Sequence, residues 1–244
     1  MFLPAGTGDR WLYGTEWDPF TEPAHEAGKQ ALLQRIAAGV GRRLASPPRI
    51  ERVGTFSFAA RIAERFRLGD VFLIGDAAHR ITPRGGTGMN TALADGFDLG
   101  WKLAWVLRGW ASPALLETFE RERRPVAEHN LARSADPNVS RREVISELRV
   151  DLGGRIAHHW TTTAAGVVST LDLVGPGLTL FTRPRTSGWE HAMITGVPGP
   201  PLAVRHVDDI TARALGVPVD GVLVVRPDGA PAPGLAGAAS ARAA

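Results

Sequence analysis

The sequence predicts a mixed α/β fold, on three observations. A short, continuously apolar run, DVFLIG (70–75), reads as a strand. It feeds through a glycine-rich loop, DAAHRITPRGGTGM (76–89), into a long helical pattern beginning near Asn90. Three further strand-like runs, GPGLTLFTRP (175–184), PLAVRHVDD (201–209) and DGVLVVRPDG (220–229), lie among helical or loop segments towards the C-terminus.

From the N-terminus, RWLYGTEW (10–17) alternates, placing Trp11, Tyr13 and Trp17 on one face of a strand. Residues 22–41 follow with Leu32, Leu33, Ile36 and Val40 on one helical stripe, broken by the prolines of SPPR (46–49). Phe56 and Phe58 mark another strand. The absence of polar alternation in 70–75 is the pattern of a strand covered on both faces. The helix over 90–109 sets Leu93, Phe97, Trp101, Ala104 and Leu107 towards the core. Ala92, Gly96, Gly100 and Ala104 recur every fourth residue, a spacing suited to a close helix–helix contact, because glycine otherwise costs a helix about 1 kcal/mol. Ser112 as N-cap and Pro113 at the first helical position open a further helix, in which Pro125 predicts a kink or interruption. Glu117 with Arg121 and Glu120 with Arg124 have the spacing of solvated surface pairs. The Arg-Pro-Asp-Gly turn (226–229) ends the last strand, and from Ala230 onward the composition is that of a frayed tail.

The chain has 244 residues, 44% of them hydrophobic and 22% charged, which is enough to bury a substantial core. With no cysteine, disulfides, thiol nucleophiles and Cys-based metal sites are excluded. A net charge of +3 with dispersed arginines argues against nucleic acid as a partner. No apolar run reaches the length of a membrane span, and the first residues lack the pattern of a secretion signal, so a cytoplasmic protein is expected.

The loop between strand and helix carries the chemistry. Asp76 emerges at the C-terminal end of the strand, where open α/β sheets bind ligands, and its carboxylate suits sugar-like hydroxyls while repelling phosphate. The glycines of PRGGTGMN (83–90) expose backbone N–H groups, and the positive end of the following helix points to the same place. Such a surface suits a flat, electron-rich ring that gains negative charge on reduction. Turns and a cap alone account for Asp76 but not for Pro83, Gly85, Gly86, Gly88 and Asn90 together.

The stretch GDVFLIGDAAHRITPRGGTGMNTALADGFDLGWKLAWVLRG (69–109), with LLETFERERRPVAEHN (115–130), resembles the second FAD-binding segment of p-hydroxybenzoate-hydroxylase-type flavoprotein monooxygenases. Within that family it is similar to the polyketide-tailoring and phenol-hydroxylating group. The resemblance implies a partial FAD/NAD(P)-binding fold, with residues 1–60 as a remnant of the substrate-binding sheet domain and 61–140 as the C-terminal part of the FAD-binding domain. It further implies a thioredoxin-like region with a disordered tail over 141–244. By the same resemblance Asp76 binds the ribityl chain, Pro83 lies beside the flavin ring, and Gly85, Gly86, Gly88, Met89 and Asn90 contact the ring's edge. Pro83 and Arg84 are the candidates nearest the chemistry, Arg84 being as readily a surface side chain. His79 holds the loop. The implied reaction is hydroxylation of an aromatic or polyketide small molecule with NAD(P)H as electron donor and O2 as oxidant.

The family's G-x-G-x-x-G unit is missing: AGTGDRW (5–11) has the wrong spacing and no preceding strand. The chain is therefore expected to correspond to the C-terminal half of such an enzyme, inactive by itself, its partner a missing N-terminal half or a second copy. The alternative is a truncated, non-catalytic flavoprotein-like module for binding or assembly. A halogenase is disfavoured by the lack of a WxWxI segment, and a lack of cysteine leaves the thioredoxin-like region a structural or dimer-packing role.

Overall fold

The computed structural model describes residues 2–6, 8–15, 29–41, 46–83, 85–136, 154–164, 166–184 and 199–232. They form two compact units, Met1–Ser57 and Phe58–Ala244.

In the first unit, β1 (Phe2–Pro4) pairs antiparallel with β2 (Trp11–Tyr13), and α1 (Lys29–Val40) lies against the hairpin. The Phe2 and Tyr13 rings are 4.8 Å apart, and the Tyr13 hydroxyl donates to the carbonyl of Arg35 at 3.2 Å. A Cβ on Gly39 would sit 2.9 Å from the Phe2 ring, so glycine is what allows the helix this close. Leu32, Leu33, Ile36 and Val40 are half-buried, on the stripe expected. Trp17 and residues 22–28 lie outside the described residues. No strand runs through Phe56 and Phe58: residues 47–60 have no regular structure, and these rings are 75% and 57% exposed.

The second unit begins with small antiparallel ladders, β3 (Arg61–Ile62) with β6 (His79–Arg80) and β4 (Arg67–Leu68) with β5 (Val71–Phe72). The expectation of a strand covered on both faces at 70–75 is corrected here. Only Val71–Phe72 are strand, in a tight hairpin turning at Gly69 (φ +59°). Phe72 and Leu73 pack on the cluster of Phe66, Ala78, Leu99, Phe119 and Ala127, while Val71 stays 65% and Ile74 41% exposed. A short apolar run does not by itself distinguish a buried strand from a half-covered turn.

Two helices dominate, α2 (Gly88–Leu107) and α3 (Thr118–Ala135). The inward face of α2 carries Thr91, Asp95, Asp98, Leu99, Trp101, Lys102 and Trp105, whereas Leu93, Phe97 and Leu107 are 64%, 57% and 84% exposed. The apolar stripe read from sequence is therefore largely the outer one, and a buried ionic network occupies the inner one. Nothing comes within 4 Å of a Cβ built on Gly96 or Gly100, so no described element packs on the middle of that small-residue groove. Ser112 caps the 3-10 turn Pro113–Glu117 by accepting from the amide of Ala114, and α3 continues through Pro125 without interruption. Glu120 and Arg124 are more than surface charges. Glu120 accepts from the amides of Phe66 and Arg67, and Arg124 donates to the carbonyls of Ala63 and Glu64.

Towards the C-terminus, β7 (Trp160–Thr163) and β8 (Gly166–Ser169) form a hairpin. A three-stranded mixed sheet follows, with β9 (Leu178–Thr182) central, parallel to β10 (Leu202–His206) and antiparallel to β11 (Leu223–Val225). These are the three strands expected. The 226–229 turn closes as expected, the Arg226 amide donating to the Ala230 carbonyl. The helix α4 (Asp209–Leu215) is capped by Asp208, whose carboxylate accepts from the amides of Ile210 and Thr211, and stops at left-handed Gly216 (φ +75°). Phe181, Val207, Ala212, Val217, Val225 and Ile156 make the core here. The sheet region meets the helices through polar contacts. Trp105 Nε1 donates to the carbonyl of Pro176 at 3.0 Å, and Arg226 pairs with Glu122 at 2.8 Å. No described helix is long and apolar enough to cross a membrane.

Candidate functional site

A left-handed Gly75 (φ +55°) turns the chain out of the β5 hairpin into the 3-10 turn Gly75–Ala77. Asp76 is thereby presented on the surface with its side chain exposed. Its carboxylate makes no hydrogen bond among the described residues and caps nothing. The turn sits against α2: a Cβ on Gly75 would lie 3.1 Å from that of Ala92.

Asp76 opens onto a cleft of about 630 Å3 that it shares with Pro83, Gly86, Gly88 and Met89. Phe58, Ala59, Arg80, Ile81, Thr82 and Ala92 complete the walls. Five residues anticipated as contacts thus face one cavity. Gly85 and Asn90 are in the same loop and helix start without lining it, and Arg84 lies outside the described residues. Arg80 and Thr82 were not anticipated. Their place within the three residues after His79 was the available signal.

The N-terminus of α2 borders the cleft through Gly88 and Met89. Its N-cap Thr87 makes no side-chain capping bond, so the first-turn N–H groups of Gly88 to Asn90 have no side-chain acceptor. The buried Thr87 hydroxyl likewise has no partner. Gly86 adopts φ +65° with nothing within 4 Å of a Cβ position, leaving bare backbone along the cleft. Open backbone, an unpaired acid and an uncapped helix N-terminus fit a ring-bearing cofactor with a polyol chain.

Beneath the cleft lies a buried polar group. Asp95 accepts from the amide of Gly75 (3.1 Å), from His79 Nε2 (2.5 Å) and from Arg123 Nε (2.8 Å). Burial pushes the Asp95 carboxyl upward, but hydrogen bonds from His79 and Arg123 outweigh this and hold it below its ordinary value. His79 does hold the loop, as expected. Asp95 and Arg123 went unread because each looks like an ordinary polar residue of an amphipathic helix. A second group joins Lys102 Nζ to Asp98 (2.7 Å) and Glu122 (3.2 Å), with Arg226 bridging Glu122 and Asp228. Burial lifts the Asp98 carboxyl to about 6 against the opposing pull of Lys102. Asp98, Glu122 and Asp228 come close enough to hold a metal, yet Lys102 and Arg226 already neutralise them.

Residues 1–134 match the family described as FAD binding domain. The chain belongs to that family. The tetracenomycin B2 monooxygenase-dioxygenase of Streptomyces olivaceus is 30% identical across 91% of this chain and 49% of its own length. The aklavinone 12-hydroxylase of Streptomyces purpurascens is 44% identical over 52% of this chain and 24% of its own. Among solved structures, aklavinone-11 hydroxylase in a ternary complex with FAD and aklavinone superposes with a TM-score of 0.75 at 29% identity, over 88% of this chain and 49% of that one. The chain thus spans less than half the length of each of these relatives. Its mixed α/β fold is that of FAD-dependent monooxygenases of the p-hydroxybenzoate hydroxylase type, and its cofactor is FAD.

Proposed function

We propose that this chain forms the flavin-proximal face of an FAD-dependent monooxygenase that hydroxylates an aromatic or polyketide substrate. The observation that carries the reading is the single cleft uniting Asp76, Pro83, Gly86, Gly88 and Met89. Asp76 accepts hydrogen bonds from the ribityl hydroxyls. Gly86, Gly88 and Met89 present backbone donors to the ring edge that becomes negative on reduction, reinforced by the helix end. Pro83 would lie beside the ring, near where oxygen reacts, and Gly85, Asn90 and Arg84 belong to the same stretch of sequence. When bound, FAD accepts electrons from NAD(P)H and activates O2 for insertion of one oxygen atom into the substrate ring. The relative solved with FAD and aklavinone supports an aromatic small-molecule substrate.

In this reading residues 1–60 contribute to a substrate-binding sheet, 61–140 to FAD binding, and 141–244 to a thioredoxin-like region with a packing role. A cytoplasmic location suits a reaction supplied by NAD(P)H. Because the matches cover under half of each relative, the chain is expected to need a complementing N-terminal half.

The test is to purify the chain alone and together with the N-terminal half of aklavinone-11 hydroxylase, then measure flavin absorbance after dialysis and NADPH oxidation. The pair should be yellow and the chain alone colourless. A monomeric chain that is yellow and active by itself would overturn the complementation. A colourless pair whose halves demonstrably bind each other would favour the non-catalytic assembly module.

A further inference from the structure

We propose that Asp95 is a positioning residue for the flavin site, acting through Gly75 and His79 to aim Asp76. This rests on the FAD reading above and adds a residue to it that touches neither cofactor nor substrate.

Asp95 is 0% exposed, His79 2% and Arg123 5%. A carboxylate so placed is costly unless every oxygen is satisfied and its charge is answered. Both conditions hold. Oδ1 takes the Arg123 guanidinium, while Oδ2 takes the Gly75 amide and His79 Nε2. An ionised carboxylate only accepts, so the imidazole donates through Nε2. The arrangement is itself braced, since Arg123 also reaches the Thr91 carbonyl at 3.4 Å and Asn130 donates to the Thr91 hydroxyl at 2.9 Å.

The consequence falls on the turn between the two donors, which carries Asp76. Gly75 and His79 bracket Asp76, and both are tied to the same oxygen. Gly75 is in the left-handed region, where small changes in φ swing everything that follows it. Asp76 has no hydrogen bond of its own to define its direction, so its direction is inherited from the anchored turn. A helix residue one turn below the cleft thus sets the aim of the only acid among the described residues lining it.

The experiment uses the complemented FAD-binding pair for affinity and the 244-residue chain for NMR. In Asp95→Asn the amide group turns a donor towards donors. The Gly75 amide resonance should move, and FAD affinity should fall by about tenfold, with altered visible circular dichroism of the bound flavin. Because Asp95→Asn also disturbs Arg123, a second pair isolates the path: His79→Gln retains a donor for Asp95, and His79→Leu does not. The glutamine should keep FAD affinity within about threefold of the parent and the leucine should lose about tenfold. Equal loss in the glutamine and leucine variants would reduce His79 to packing and overturn the proposal. So would a shifted Gly75 resonance with unchanged FAD affinity. Failure of the unsubstituted pair to bind FAD would instead remove the reading beneath it, and the proposal with it.

Discussion

Lys102 has no exposed surface, and its ammonium reaches Asp98 at 2.7 Å and Glu122 at 3.2 Å. Lys102→Met keeps the length and apolar stem of the side chain while deleting the charge. Glu122 retains Arg226, but Asp98 is left buried without a cation, and breaking such a pair costs about 3–5 kcal/mol. For a unit of this size that is roughly 10 °C in melting temperature. The penalty has a definite pH dependence. Asp98 already binds its proton more tightly folded than unfolded, burial having lifted it to about 6, so its contribution favours folding at acid pH and is lost as pH rises through that value. Lys102 opposes the lift, so removing it extends the window to higher pH, and the variant's deficit should grow between pH 5 and pH 8. Thermal and urea unfolding at these two pH values, followed by circular dichroism, measure this directly. The double variant Asp98→Asn/Lys102→Met should recover most of the loss. A deficit under about 1 kcal/mol, one independent of pH, or a double variant as unstable as the single would refute the electrostatic account.

Asp76→Ala should leave unfolding unchanged within about 0.5 kcal/mol, since the side chain is exposed and unbonded, yet weaken FAD binding by roughly tenfold to a hundredfold in a flavin-retention assay. Gly75→Ala should destabilise the fold by about 1–2 kcal/mol in urea titration, because alanine is strained at φ +55° and its methyl would crowd Ala92. Asp208→Ala should cost about 1–2 kcal/mol through the lost cap on α4. Hydrogen bonds from Thr211 hold Asp208 down to about 2, so this contribution is present above its unfolded pKa and lost as pH falls towards 2. Finally, Phe97→Glu should reduce self-association of the isolated chain in sedimentation velocity, by breaking the exposed stripe that Met89, Leu93 and Phe97 form on α2.

What could be read in advance depended on whether the signal was local. The three C-terminal strands, the Ser112 cap and the Gly-rich approach to α2 were legible because turn chemistry and capping act within a few residues. Five of the anticipated contacts face one cleft for the same reason, being neighbours in one loop. The face of α2 was misread because hydrophobic periodicity assigns Asp95, Asp98 and Lys102 to solvent. Asp98 pairs with Lys102 on the same helix, whereas Arg123 and Glu122, the partners of Asp95 and Lys102, come from α3, and these pairings make burial tolerable. The 70–75 run misled in the opposite direction, since continuous apolarity shows only that burial is favourable and not how much of it the fold supplies.

The family match stops at residue 134, just short of the end of α3, whereas the ionic cluster around Lys102 is completed by Arg226 and Asp228 far beyond it. The packing of α2 and α3 therefore depends on residues beyond the end of that match. Were the segment after α3 exchanged for that of a relative, Glu122 would meet whatever stood at the position of Arg226, and Trp105 would need a new carbonyl in place of that of Pro176. Such exchanges should succeed only when the incoming segment carries an arginine–aspartate pair at that turn. The C-terminal segment is thus held to α2 and α3 by specific polar contacts, although it lies beyond the residues that match the FAD binding domain.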